Sequence, residues 1–134
     1  MLLTLLLTQL AFTEVPPNAD RWAREDAALG PLQVCELLVK AAKDDDFDGV
    51  AGRSTAYSRA KFGQKQKLEI RAAHNYLVGT RCVKISAQDD KAEPATALVW
   101  VYIPQQKSRD VPFVREAGFW RLDQKRYEEL RAKK

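Results

Sequence analysis

The sequence predicts an α+β domain in which N-terminal helices pack on an antiparallel sheet of about four strands. Apolar residues recur at helical spacing in the first part of the chain, and they alternate with polar residues from about residue 81 onward. Helices that precede a run of strands are typical of this class, because strands adjacent in sequence pair through short turns. The length of 134 residues suits one domain with a core of its own.

The N-terminus begins with an uncharged, mostly apolar stretch that a polar segment with two prolines follows. This stretch has the length of the apolar region of a signal peptide and is too short to span a bilayer. We therefore predict a signal peptide at residues 1–13, a linker and short helix at 14–30, and a periplasmic or secreted protein without a stable membrane anchor. A buried N-terminal helix of a cytoplasmic protein is the alternative, since no basic residue precedes the apolar stretch.

Helical periodicity predicts two long helices, at residues 32–43 and 61–77, each with a broad apolar stripe. Gly30 is suited to end the preceding short helix, and Pro31 is suited to the first turn of the next one. Between the two long helices, residues 50–63 are predicted to form short helical turns.

Strands are predicted at residues 81–87, 95–103, 111–115 and 119–122. The segment at 95–103 carries the strongest strand signal, because it is rich in β-branched and aromatic residues. The residues after the last strand, 124–134, are highly charged and are predicted to form a solvated helical tail.

Both faces of the strand at 95–103 are apolar, since from Leu98 to Ile103 the side chains on either face are all aliphatic or aromatic. One face carries Leu98, Trp100 and Tyr102. We expect both faces to be shielded from water, one by the helices and the other by a cavity, the N-terminal segment or a second subunit.

Cys35 and Cys82 are the two cysteines of the chain, and export would permit a disulfide between them. Two buried free thiols are the alternative, because the sequence does not show whether the two Cβ atoms face each other.

Three stretches resemble the nuclear-transport-factor-two-like group, also called cystatin-like, which includes ketosteroid-isomerase-like and SnoaL-like proteins. They are the helix at 32–43 with the Asp-Phe-Asp-Gly turn at 46–49, the long strand at 95–103, and the sequence VREAGFWRLD at 114–123, which is similar to the closing hairpin of the group. The resemblance covers residues 31–123. It implies a curved sheet with helices on its concave side, a cone with a pocket at its mouth, and homodimers that form through the sheet. Many small exported members of the group have no known catalysis.

On this basis we predict a non-catalytic binding or protein-interaction module that uses a pocket or a sheet face. Its partner would be a small apolar ligand, a peptide or a protein, as for an immunity or inhibitor protein, and no cofactor is predicted. Arg115 or Arg121 would provide a charged anchor. The other candidate contact residues are Trp100, Tyr102, Trp120, Tyr57 and His74.

The alternative is a small isomerase, dehydratase or cyclase that acts on a hydrophobic substrate, as the resemblance implies. Tyr57 or Tyr102 would then donate a hydrogen bond to a developing oxyanion, beside an ionisable group such as His74. However, His74 on an apolar helix face is typical of a hydrogen-bonded core histidine. The carboxylates near the strands lie in turns or at strand ends, where they commonly serve as turn formers. These observations favour binding over catalysis.

Residues 44–49 read Asp-Asp-Asp-Phe-Asp-Gly, which matches the start of a calcium-binding loop. The twelfth position of such a loop is Thr55 and not the bidentate glutamate that calcium requires. We therefore predict a solvated acidic turn and no metal site.

The net charge is +4, from 22 lysines and arginines against 18 aspartates and glutamates. The basic residues alternate with acidic ones along the chain, which is typical of solvated surfaces. The sequence therefore predicts no nucleic-acid partner.

Overall fold

The computed structural model describes residues 26–61, 68, 71 and 77–132. In this part of the chain the elements are α1 (Pro31–Lys43), α2 (Phe47–Gly52), α3 (Ala56–Lys61), β1 (Arg81–Asp89), β2 (Thr96–Tyr102), β3 (Arg109–Glu116), β4 (Phe119–Leu122) and α4 (Gln124–Ala132). The strands form one antiparallel sheet in the order β1-β2-β3-β4. The predicted α+β class and the four strands are confirmed, whereas the cone stays a prediction.

Several predictions fall on residues outside this part of the chain. They are the signal peptide at 1–13, most of the linker and short helix at 14–30, most of the helix at 61–77, and the surroundings of His74.

Helix α1 begins and ends much as its sequence predicts. Pro31 occupies the first turn, and the Gln33 side chain accepts a hydrogen bond from the Gly30 backbone N–H at 3.1 Å. At the other end, Lys40 and Lys43 lie in the last turn, where the negative end of the helix dipole favours basic residues. The predicted helix at 32–43 is therefore confirmed, with Pro31 added at its start.

The acidic turn after α1 serves as the start of α2. The Asp46 carboxylate accepts a hydrogen bond from the Gly49 backbone N–H at 3.1 Å, which satisfies one of the open donors of the helix. A Cβ atom on Gly49 would lie 2.6 Å from Asp46 Oδ2, so this close approach requires a glycine. The Asp-Phe-Asp-Gly sequence is thus explained by helix capping.

One face of the sheet, which we call the inner face, packs against α1 and forms the core. On β2 it consists of Ala97, Val99 and Val101, all of which are buried. Val34 of α1 and Phe113 of β3 complete the same cluster. Together these side chains hold the helix against the sheet through burial of apolar surface.

The opposite face of the sheet, which we call the outer face, is only partly covered. Its apolar side chains on β2 are Leu98 and Trp100, which are partly buried, and Tyr102, which is 43% exposed. The inner face is therefore shielded from water, as expected. The shielding expected for the outer face is incomplete.

Helix α4 lies beside β3 and is more than a solvated tail. Within β3, it is residues 113–116 that pair with β4. The chain then continues into α4, which lies along the remaining part of β3. The Asp123 backbone N–H donates to the Pro112 carbonyl at 3.0 Å, and Arg109 donates to the Tyr127 hydroxyl at 2.9 Å. The charged composition of 124–134 concealed this contact, because Tyr127 and Leu130 are its only bulky apolar side chains.

A disulfide joins α1 to the edge strand β1. Cys35 and Cys82 are 47 residues apart in the sequence, and their Cα atoms are 6.1 Å apart. Cys82 lies opposite Val101 on the inner face, where it meets Cys35 in the core cluster. Of the two alternatives that the sequence leaves open, the structure contains the disulfide.

We expect that the variant Cys35→Ala/Cys82→Ala is less stable than the wild type by about 3–4 kcal/mol, because the disulfide removes loop-closure entropy from the unfolded chain. Urea denaturation followed by circular dichroism measures the difference. Wild-type protein treated with a reductant is the control and should lose a similar amount. A loss below about 1 kcal/mol in both would contradict this expectation.

Candidate functional site

The outer face has an apolar centre with charged residues around it. Antiparallel pairing places Ala87 and Pro112 on either side of Leu98. In the next row, Lys84 and Asp110 lie on either side of Trp100. Since directly paired residues point to the same face, Leu98 and Trp100 form the apolar centre of this surface.

Two neighbouring clefts open on this surface between the sheet and α4. The first has a volume of about 410 Å³ and the second a volume of about 460 Å³. Leu98 and Leu130 line both clefts, and Trp100 lines the second. The floor of the second cleft is therefore apolar and partly aromatic.

The second cleft carries an excess of positive charge. Lys107, Arg109 and Arg131 line it together with one acidic residue, Asp110. The Ser86 hydroxyl donates to Asp110 Oδ1 at 2.7 Å, so this carboxylate already has a hydrogen-bond partner within the sheet. Three cationic side chains thus surround an apolar floor.

Tyr127 holds two of these cations in place. Its hydroxyl accepts the hydrogen bond from Arg109, and the Arg131 guanidinium lies over its ring, 5.6 Å from the centroid. Both contacts restrict long side chains that would otherwise move freely, and the cation–π contact contributes to this order. Of the two, Arg131 can present its guanidinium to a ligand in the cleft, whereas Arg109 is paired with Val101 of the inner face and bonds to Tyr127 there.

The first cleft is more acidic, and its carboxylates have structural roles. Asp89 accepts hydrogen bonds from the backbone N–H groups of Lys91 and Ala92 in the turn after β1. Asp123 accepts one from the Arg126 backbone N–H at the start of α4. These carboxylates therefore stabilise a turn and a helix start at the rim of the cleft.

A separate cluster of buried charges lies at the β4 edge of the sheet. Asp26 is 1% exposed, and its Oδ2 atom is 2.8 Å from Arg121 Nη1 and 3.4 Å from Arg53 Nε. Residues 53–55 reach this position because their backbone bonds to Leu122 of β4. Burial lowers the pKa of the Arg121 guanidinium, and the charge of Asp26 opposes this shift. Because an arginine keeps its charge in proteins, Asp26 and the two arginines form a buried ion network that joins the segment at residue 53 to β4.

The structure places the predicted site residues in different surroundings. Trp100 lies in the second cleft, and Tyr102 lies at the end of the outer face with the Arg81 guanidinium over its ring. Trp120 is 4% exposed and belongs to the core, so it is not available as a contact residue. Arg121 is buried against Asp26 and does not form a surface anchor.

Arg115 and Tyr57 are exposed and line neither cleft. Tyr102 does not line either cleft. Neither of the tyrosines of the alternative enzyme therefore lies in these clefts, and His74 is outside the described residues. The inner face, α1 and α4 enclose a smaller space of about 170 Å³, and neither of these tyrosines lines it.

The candidate residues predicted from the sequence do not include the cations of the second cleft or Leu130. A signal for α4 was present, because Tyr127 and Leu130 are three residues apart and share one side of a helix. No comparable signal marks Lys107 and Arg109, which lie in and after a polar loop.

Among the described residues, no group of three or more histidine, cysteine, aspartate or glutamate side chains could hold a metal ion. The same part of the chain contains no helix long and apolar enough to cross a membrane.

Comparison with known proteins returned no match: no family model, no curated protein and no solved structure is similar to this chain.

Proposed function

We propose that this protein is a non-catalytic binding protein that takes a small ligand with an apolar part on its outer face. The observation that carries the proposal is the position of Trp100 and Leu98 at the floor of two adjoining clefts. An aromatic and an aliphatic side chain that remain partly exposed in a concave site are typical of ligand contacts.

The size of the clefts supports a small ligand. Each lies within the range of about 300–1,000 Å³ that is usual for sites of small molecules. The space between α1 and the inner face is smaller, at about 170 Å³, and is lined mainly by apolar side chains. This contrast favours binding at the outer face over catalysis in an interior pocket.

Titration with the neutral fluorescent probe N-phenyl-1-naphthylamine tests the proposal. We expect its fluorescence to rise on binding to the wild type. The variant Leu130→Gln should raise the Kd about tenfold, because it replaces an apolar contact shared by both clefts with a polar one. Circular dichroism of the variant checks that it is folded.

The matched control is Val78→Gln. Val78 is 62% exposed and lines neither cleft, so this variant removes a similar apolar group and should leave the Kd unchanged. If the wild type does not bind the probe, or if both variants weaken binding equally, the outer face is not the binding site.

We propose in addition that the protein works in an oxidising compartment, periplasmic or extracellular. The disulfide between Cys35 and Cys82 supports this, because disulfides persist mainly in exported proteins.

A further inference from the structure

Charge distinguishes the second cleft from the first and indicates which class of ligand it takes. We infer that the second cleft binds a small amphipathic anion, whose apolar part lies on Trp100 and Leu98 and whose negative group contacts Lys107 and Arg131. This inference rests on the proposed function and adds the chemical class of the ligand.

The second cleft has an excess of positive charge. Among the residues that the structure describes, Lys107, Arg109 and Arg131 line it against one carboxylate, that of Asp110, so its formal charge is positive. Asp110 already accepts the hydrogen bond from Ser86, which lies beside it on the outer face. An anionic group in the cleft would restore the balance of charge.

One cation of the second cleft is held in place before a ligand arrives. The Arg131 guanidinium lies over the ring of Tyr127, whose hydroxyl is fixed in turn by the hydrogen bond from Arg109. A guanidinium binds carboxylate, sulfonate or phosphate oxygens with more than one hydrogen bond. Because this group is ordered before the ligand arrives, less entropy is lost on binding.

Charged and apolar surface adjoin each other in the second cleft. Trp100, Leu98 and Leu130 line the same cleft as the cations, so one small molecule can contact both. A purely polar anion would leave the apolar floor in water, and a purely apolar ligand would leave the cations without a counter-charge. An amphipathic anion satisfies both.

Two probes with the same aromatic body test the inference. They are 8-anilino-1-naphthalenesulfonate, which carries one negative charge, and the neutral N-phenyl-1-naphthylamine. We expect the wild type to bind the sulfonate about tenfold more tightly, since charge-assisted hydrogen bonds contribute at least this factor. The advantage should shrink as salt is added, because partly exposed charges are screened.

The variant Arg131→Gln should raise the Kd of the sulfonate at least threefold more than it raises the Kd of the neutral probe. Arg115→Gln is the matched control: it removes an exposed arginine that does not line the cleft, and it should leave the ratio of the two Kd values unchanged. Equal effects of the two variants would assign the preference to overall charge and overturn the inference.

The outcomes separate the inference from the function on which it rests. If the two probes bind equally well and Arg131→Gln changes neither Kd, the anion class is wrong and the binding function stands. If neither probe binds, both proposals fail.

Sedimentation of the probe-free protein gives the third outcome. A dimer that dissociates in Leu130→Gln would assign the outer face to a second copy of the chain and overturn both proposals.

Discussion

Replacement of Asp26 by asparagine is expected to destabilise the protein by about 3–5 kcal/mol, the cost of leaving a buried ion network without one of its charges. The Asp26 carboxylate lies between the guanidinium groups of Arg121 and Arg53, and all three side chains are buried. Without the carboxylate, two positive charges would remain next to each other at the β4 edge. Urea denaturation measures the loss.

Two further variants distinguish this effect from the general loss of a carboxylate. Glu128→Gln removes an exposed carboxylate from α4 and should change stability by no more than about 0.5 kcal/mol. Arg121→Met in the Asp26→Asn background should recover part of the loss, because it removes the buried guanidinium that has lost its ion pair with Asp26. A loss below about 1 kcal/mol for Asp26→Asn alone would show that the network does not stabilise the fold.

The second large effect is expected at Trp120. Trp120→Ala should cost about 3–5 kcal/mol, because this side chain fills the core cluster with Phe113 and Val99 and its removal leaves a cavity. Trp100→Ala should cost at most about 2 kcal/mol, since Trp100 is only partly buried on the outer face.

The comparison of these two tryptophans tests the assignment of the sheet faces. Both variants are unfolded in urea under the same conditions. Their transition midpoints are compared, with the same dependence of the unfolding free energy on urea concentration for both. Equal losses would indicate that the outer face is as well covered as the inner face. That result would remove the exposed apolar floor on which the proposed binding site depends.

The sequence predicts the elements well because their periodicity is local. Helix α1 and strand β2 follow from apolar spacing alone, and the turn after α1 contains its own capping residue, Asp46. The sequence does not show which tryptophan lies in the core. Trp100 and Trp120 both lie in strands with apolar neighbours, and only the position of α1 against the inner face separates them.

The long-range contacts of the candidate site are harder to predict. Arg121 is 95 residues from Asp26, and no local pattern pairs them. The second cleft combines two residues of β2, the loop after it, the start of β3 and helix α4. Its charged rim therefore depends on where α4 lies, which the charged composition of that segment does not reveal.

The two borders of the sheet bear on how the folded protein avoids aggregation. Helix α4 lies along the part of β3 that extends beyond β4. The pairing of the edge strand β1 with β2 is interrupted by two register shifts. Irregular or covered strand borders offer a poor template for recruiting a strand from another molecule. We therefore expect that loss of residues 124–132 would promote intermolecular β-pairing, an outcome separate from any loss of ligand affinity.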